Sequence, residues 1–313
     1  MSNGLDVTLV NNYLEMNHIV VCICTFNRKE MLRNLLYKLN DQVTDNSFTY
    51  SAVIVDNDFS KSAKNVVESV AHELVYKVEY FFETIQNIAL ARNKTVENAK
   101  GNYVAFIDDD EFPPENWLLT LYTVIKQYCA DGVLGPVKPS FEKEPPQWII
   151  DGKFYEKQPQ FKTGKKLRWE ETRTSNVLMK NIFDLQDNRF RKEFGRGGED
   201  RDFFKRMIEK RYIFVWCAEA FVYEIIPPER CTRLFMVRRA LLRGKMSIIS
   251  DSFRFVNIFK SLGAFLVYAF MLPFLLFLDH HIFMKFLIKI SEHLGVLIAF
   301  AGFNIIKQNY VIK

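Results

Sequence analysis

Short apolar runs alternate with helical periods from His18 to about Glu224. Ile19-Val20-Val21-Cys22-Ile23-Cys24 has no polar interruption, which predicts a strand buried on both faces. Leu32, Leu35, Leu36 and Leu39 follow at the spacing of one helix face. Ala52-Val53-Ile54-Val55 predicts a second buried strand. Ser60 is placed to cap a helix whose inner face is Ala63, Val66, Val67, Val70 and Leu74. Tyr80-Phe81-Phe82 is a third strand candidate. Ile88 to Ala99 has a helical period, and Gly101 is placed to end it. Tyr103-Val104-Ala105-Phe106-Ile107 is a fourth strand, running into Asp108-Asp109-Asp110-Glu111. Val177-Leu178, Tyr212–Trp216 and Ala220–Tyr223 predict later strands, and Asp202 to Lys210 a helix. Such alternation defines an α/β chain with a mostly parallel central sheet, whose ligand crevice lies beyond the carboxyl ends of the strands.

Two stretches break the pattern. Residues 138–172 carry Pro139, Pro145, Pro146 and Pro159 with many charges and Trp148 and Trp169, and read as a long irregular insertion. At Pro227-Pro228 the composition shifts to a basic helical stretch, Arg230, Arg233, Arg238, Arg239, Arg243 and Lys245. Two apolar segments follow, Leu262–Leu278 and Phe283–Ile306. The division is therefore an N-terminal extension (1–17), an α/β domain (18–226) and a basic, hydrophobic helical region (227–313).

With 49% hydrophobic residues the chain has material for a real core, and a net charge of +5 does not by itself imply nucleic acid. Five cysteines without a C-x-x-C argue against a zinc ribbon or disulfide framework and fit a reducing compartment. Met1 to His18 lacks the basic and apolar regions of a signal peptide.

Four places hold candidate chemistry. Asp108 and Asp110 share one side of an extended chain, and carboxylates so placed suit Mg²⁺ or Mn²⁺ held jointly with a substrate diphosphate; a solvated acidic turn is the alternative. Asp56, at the end of its strand, is either a directional acceptor for a base or ribose, or the Asx-turn that ends the strand. Gly195-Arg196-Gly197-Gly198 delivers Glu199 and Asp200 to a helix start, as a general base or as acids matching the helix dipole. Arg92 is a phosphate or carboxylate contact, or a surface arginine.

The order and spacing of VVCICTFNR (20–28), AVIVDND (52–58), NIALARNKTVENAKGNYVAFIDDDEFPPENWL (87–118) and GGEDRDFF (197–204) resemble the family-2 glycosyltransferases of GT-A fold. The segment FVWCAEAFVYE (214–224) is similar to their bacterial exopolysaccharide, succinoglycan-type branch. The resemblance implies that Thr25, Asn27 and Arg28 border the nucleotide, that Asp56 and Asn57 lie at the base, and that Arg92, Asp108 and Asp109 face the donor. It further implies Asp110 as metal ligand, Asp200 as the base with Glu199 beside it, and Glu224 at a position where many relatives carry a metal-binding His. The Gln-x-x-Arg-Trp motif of processive synthases is missing, which implies one sugar per encounter.

The expected reaction is inverting transfer from a nucleotide-diphosphate sugar, with UDP the expected nucleotide, to a hydroxyl of a lipid-linked saccharide. No activated Ser or Cys nucleophile is evident, and a single displacement needs none. Trp148 and Trp169 offer faces for the acceptor sugar, or else pack beneath the insertion. A sugar nucleotidyltransferase would need a glycine-rich first loop, whereas the first strand here leads into Thr25-Phe26-Asn27-Arg28. A membrane-attached, non-catalytic binding protein would need neither Asp110 nor Asp200. For the C-terminal region the expectation is a monotopic anchor or re-entrant hairpin at the cytoplasmic face of a bacterial membrane. Pro273 interrupts the first segment, and Lys285, Lys289, Glu292 and His293 line one side of the second. A two-helix span and a helical subdomain packed on the sheet are the alternatives.

Overall fold

The computed structural model describes residues 16–156, 161–195, 197–248, 255–277 and 279–303. Nearly all of the 1–17 extension, together with Pro159, Arg196, Leu278 and 304–306, lies outside them.

The uninterrupted apolar run forms β1 (Asn17–Thr25), with Ile19 to Ile23 buried. Helix α1 (Lys29–Asn40) buries Leu32, Leu35, Leu36 and Leu39, as their spacing requires. Then come β2 (Phe48–Asp56), α2 (Lys64–Val70), β3 (Lys77–Phe82), α3 (Ile88–Asn98), β4 (Tyr103–Phe106), β5 (Glu111–Phe112) and α4 (Trp117–Gln127). The later part holds β6 (Gly132–Leu134), β7 (Val137–Phe141), α5 (Gln147–Gly152), β8 (Val177–Lys180), α6 (Glu199–Glu209), β9 (Phe214–Trp216) and β10 (Val222–Ile226).

Seven strands form the main sheet in the order β3-β2-β1-β4-β8-β6-β9. All pair in parallel except β8, which runs antiparallel to both β4 and β6. A second sheet, β5-β10-β7, pairs β10 antiparallel to β5 and parallel to β7. The mostly parallel α/β expectation therefore holds, and the carboxyl ends of β1, β2 and β4 open on one side. Two apolar clusters fill the faces of the main sheet. One is built on α1 and α4, the other on α6 with Phe183, Phe190, Phe203 and Phe204. All five cysteines are free, and burial pushes the Cys22 thiol up to about 12.

Several local expectations change. Ser60 does not cap α2: its hydroxyl binds Asp58, and the first helical turn is instead held by the Ala63 N–H donating to Asp56 at 2.9 Å. Gly101 is not a left-handed helix cap. A Cβ there would lie 2.7 Å from the His18 carbonyl oxygen, so the glycine admits the close approach of β1. The insertion 138–172 is less irregular than its prolines suggest. It opens inside β7, contains α5, and returns to the sheet by a bridge from Lys166 to Val215.

Beyond β10 a short 3-10 turn (Pro228–Cys231) leads to α7 (Arg233–Ser247), α8 (Phe255–Met271) and α9 (His280–Phe300). Met236 and Ala240 of α7 and Met284 and Ile288 of α9 pack with Ile149, Tyr155 and Ile226 of the α/β domain. Among the described residues no helix is long and apolar enough to cross a membrane.

Candidate active site

Register brings the polar ends of three strands together. Thr25 pairs with Asp56 across β1 and β2. In the β1–β4 ladder Ile19 stands opposite Tyr103 and Cys22 opposite Phe106. The same offset, carried three residues further, brings Thr25 to Asp109, and the Thr25 hydroxyl donates to the Asp109 carboxylate at 2.8 Å. Arg28, just before α1, donates to Asp109 at 2.8 Å and to Asp110 at 3.0 Å. Between them Asn27 is exposed with a φ of 53°, a left-handed conformation that asparagine tolerates.

The second sheet adds another acid. Pairing of β10 with β5 sets Glu224 opposite Glu111, and the Ile225 N–H donates to the Asp110 carbonyl at 3.0 Å. Arg230, six residues past Glu224, then bridges Asp110 and Glu224 with its two terminal nitrogens, each contact 3.2 Å.

Arg92 makes the third link. From α3 it forms a buried ion pair with Glu199 at the start of α6 and reaches Asp108 at 3.8 Å. The surface-arginine alternative is therefore wrong for Arg92. Its neighbour Asn93 grips the loop before α6, donating to the Phe190 carbonyl at 2.8 Å and accepting from the Phe190 N–H at 2.9 Å. Asn87 donates to the Lys192 carbonyl at 2.8 Å, and the Ile88 N–H to Gly195 at 3.1 Å. Gly197 and Gly198 have φ of 130° and 93°, a region closed to most side chains, so the chain can turn sharply into Glu199. Beneath, Phe203 packs at a tilt on Phe190 at 4.6 Å and stacks on Phe183 at 5.4 Å, fixing the helix that carries Asp200. Asp200 is half-buried, and its carboxylate accepts from the next backbone N–H.

Crowding acids in a site with little water shows in their protonation. Burial raises Asp109 to about 6, despite the opposing field of Arg28. Burial raises Asp108, and Asp110 and Glu224 add to that. Burial and Asp108 hold Glu111 well above the usual carboxylate range, while its side chain accepts from the Asp108 N–H at 3.2 Å.

Asp56 is fully buried. Its carboxylate accepts from Asp58 and Ala63 N–H groups at 3.0 and 2.9 Å and from the Tyr80 hydroxyl at 3.1 Å. In this structure it is the Asx-turn that orders the 57–63 loop. Asn57 does similar work one step on, donating to Glu83 and Ile85 carbonyls and accepting from Asn87. The two tryptophans separate. Trp169 lies beside α6, its ring 5.5 Å from the Arg201 guanidinium. Trp148 packs edge-on against Phe154 and His280 in the seam with α9, so for Trp148 the packing alternative describes the structure.

Sequence reading missed Arg173, Arg230 and Arg239. Arg173 donates to the Gly135 carbonyl at 3.1 Å and sits in the field of Glu111, Asp108, Glu224 and Asp200. Burial lowers its pKa, and its buried Nε has no hydrogen-bond partner. Arginine density between 230 and 245 was the visible signal, but charge alone pointed it at lipid headgroups rather than inward.

Asp108, Asp110 and Glu224 offer only carboxylate oxygens, the donors that a hard divalent cation takes. No cluster of three acids close enough to cage a metal occurs among the described residues. A Mg²⁺-type ion is commonly held by one or two carboxylates plus substrate phosphates, so this donor set fits one, in competition with Arg230 for Asp110 and Glu224.

The fold defines a chain of GT-A-like glycosyltransferase architecture. The glycosyl transferase family 2 model matches residues 20–184, more than half of the chain, and the chain belongs to that family. It is 30% identical over 236 residues to the succinoglycan biosynthesis protein ExoM of Rhizobium meliloti, covering 74% of each chain. It is 28% identical over 141 residues to the glycosyltransferase GlyA of Streptococcus pneumoniae, covering 44% of this chain and 20% of that one. Among solved structures, S. aureus TarS 1–349 in complex with UDP-GlcNAc superposes with a TM-score of 0.53 at 16% identity, covering 91% of this chain and 92% of that one. Against a longer TarS chain the TM-score is 0.52 at 18% identity, and the match covers 90% of this chain and 55% of that one.

Proposed function

We propose that this family-2 glycosyltransferase inverts the anomeric carbon of a UDP-sugar while passing the sugar to a hydroxyl of a lipid-linked saccharide, in bacterial exopolysaccharide synthesis. The observation that carries the reading is Arg92, which ties Asp108 at the end of β4 to Glu199 at the start of α6. That link supports reading the acid cluster as the diphosphate side of the site and the start of α6 as the acceptor side. ExoM and the UDP-GlcNAc-bound TarS support the pathway and the nucleotide.

In this reading Thr25, Asn27, Arg28 and the loop shaped by Asp56 and Asn57 receive the nucleoside. Asp108 and Asp109 border the ribose and diphosphate. Asp110 and Glu224 would hold a Mn²⁺ or Mg²⁺ ion, whose chemistry would be to offset charge on the departing diphosphate. Arg92 holds Glu199 in place through their ion pair, so that Asp200, the next residue, points its carboxylate to the acceptor hydroxyl. Asp200 takes that proton as the oxygen attacks the anomeric carbon, a role worth about 10²–10⁴-fold in rate. Trp169, beside α6, is the surface on which the acceptor sugar stacks.

Membrane attachment is part of the same proposal. Phe259, Leu266 and Phe270 recur at helical spacing along α8 and Phe274 follows in the turn beyond it; they are 73%, 59%, 70% and 59% exposed. Arg233, Arg238 and Arg243 are exposed on α7. An apolar stripe near exposed arginines fits the interface of an anionic bilayer, with α8 lying in its plane at the cytoplasmic face.

The test is a panel of nucleotide sugars given to the full-length protein, with released nucleoside diphosphate and product anomeric configuration as readouts. Divalent-dependent release of UDP with an inverted product is expected. Failure to bind or turn over any nucleotide sugar refutes the transferase reading; a retained configuration refutes the single displacement.

A further inference from the structure

The arginines that follow β10 exceed what the acid cluster uses. Arg230 is engaged by Asp110 and Glu224. Arg239 and Arg243 lie one helical turn apart on the same face of α7. Phe235, Met236 and Ala240 seat α7 against Ile226 at the end of β10 and against Tyr155. That seam brings Arg239 to the edge of the site, where its charged neighbours are Glu224, Tyr155, Arg243 and Arg230. The Tyr155 hydroxyl donates to the Arg230 carbonyl at 2.7 Å and so pins the backbone between them.

Charge balance at this place is one-sided. Glu224 is the carboxylate among three guanidiniums, and Arg230 already bonds to it. Among the described residues Arg239 makes no hydrogen bond and no ion pair, and burial lowers its pKa. Arg239 is half-buried, so its guanidinium has lost part of its hydration while its donors stay open to an anion with several oxygens. Forked arginine donors match phosphate oxygens in pairs.

We propose that Arg239 and Arg243, with Arg230 at their edge, form an anion subsite for a diphosphate group carried by the acceptor, separate from the donor diphosphate site at Asp108–Asp110. The proposal rests on the transferase reading above. Position favours the acceptor: the pair sits on the helix that leads into α8 and its exposed apolar stripe, where a lipid-attached substrate would arrive. A neutral saccharide would leave these guanidiniums unmet.

The test titrates the full-length protein with inorganic pyrophosphate, with and without saturating UDP. Wild type, R239Q, R239K and R239Q/R243Q are compared, and each is also mixed with phosphatidylcholine vesicles containing phosphatidylglycerol. Pyrophosphate should bind the UDP-saturated wild type. R239Q should weaken it by about tenfold or more, the loss of a charge-assisted hydrogen bond, and R239K should recover part of it. In R239Q and R239K, UDP affinity and vesicle binding should hold within about twofold, which also shows that these variants fold. Full competition by UDP would place the pair in the donor site and overturn the proposal. So would unchanged pyrophosphate affinity in R239Q. So would loss of vesicle binding in the double variant with no pyrophosphate binding in wild type, which assigns the cluster to lipid headgroups. A wild type that binds pyrophosphate through Arg239 but never binds UDP sinks the nucleotide-sugar reading and leaves the anion subsite standing.

Discussion

Replacing Arg230 by Ala removes the guanidinium that joins Asp110 to Glu224. Each contact is 3.2 Å, and the side chains of Arg230, Asp110 and Glu224 are only 13%, 9% and 12% exposed. At an effective dielectric near 20 each contact represents a gross attraction of about 5 kcal/mol, most of it cancelled by desolvation. Taking one partner out of a buried pair typically costs about 3–5 kcal/mol, because the remaining charge has lost its compensation. Asp110 keeps Arg28 at 3.0 Å, and Glu224 keeps Arg239 in its field, so the lower end applies. A loss of about 3 kcal/mol lowers the melting temperature by roughly 6–12 °C for a domain of this size. The same variant frees a carboxylate pair for a divalent ion. Bound at a hundred times its Kd, the ion returns about 2.7 kcal/mol. Thermal unfolding in chelator and in Mn²⁺ is the assay. R230A should be the less stable protein in chelator and should gain more from Mn²⁺ than wild type does. Equal gains, or equal stability in chelator, would refute the reasoning that Arg230 and a cation compete for Asp110 and Glu224.

Three further outcomes follow from the same geometry. D200N should keep UDP affinity while its transfer rate falls by about 10²–10⁴-fold; a wild-type rate would move the base elsewhere, with Glu199 first in line. R92M leaves Glu199 buried and unpaired and should cost about 3–5 kcal/mol in chemical denaturation, whereas R92M/E199L should regain most of it; a double variant no better than the single would mean the pair is not the origin of the loss. W169A should raise the acceptor KM more than the donor KM, while W148A should lower the melting temperature and leave both KM values alone; the reverse pattern would exchange the two residues' roles.

Much of the catalytic half was legible because its signals are local. A strand buried on both faces needs an unbroken apolar run, and Ile19 to Cys24 supplies one. A strand that runs directly into acids must leave them at a sheet end, and Tyr103 to Asp110 does so. What was not legible depends on partners distant in sequence. Asp56 taken alone favoured a turn and the family resemblance a base contact, and the choice in this structure is set by Ala63 and Tyr80 arriving at its carboxylate. Trp148 and Trp169 were alike on the page, and differ because α9 packs on one while α6 lies beside the other.

The C-terminal arginines carry this furthest. Along the chain, Arg230 to Lys245 is a run of positive charge before apolar helices, a pattern that physical chemistry assigns to headgroups. The fold divides that run. The antiparallel pairing of β5 and β10 sets Glu224 beside Glu111 and Asp110, so the turn that follows β10 must pass over a nest of acids. Arg230 falls on that turn and is drawn in; Arg239 follows because Met236 and Ala240 bury the adjoining face of α7. Arg233 and Arg238, on other parts of the helix surface, stay exposed, as does Arg243, one turn beyond Arg239. One basic stretch therefore serves two environments, and the residue that separates them is not marked by its charge but by which strand ends beneath it. A turn that touches the acid cluster through Arg230 and runs directly into α7, whose other arginines face outward, couples the two physically, since any movement of α7 that withdraws Arg230 also uncovers Asp110 and Glu224.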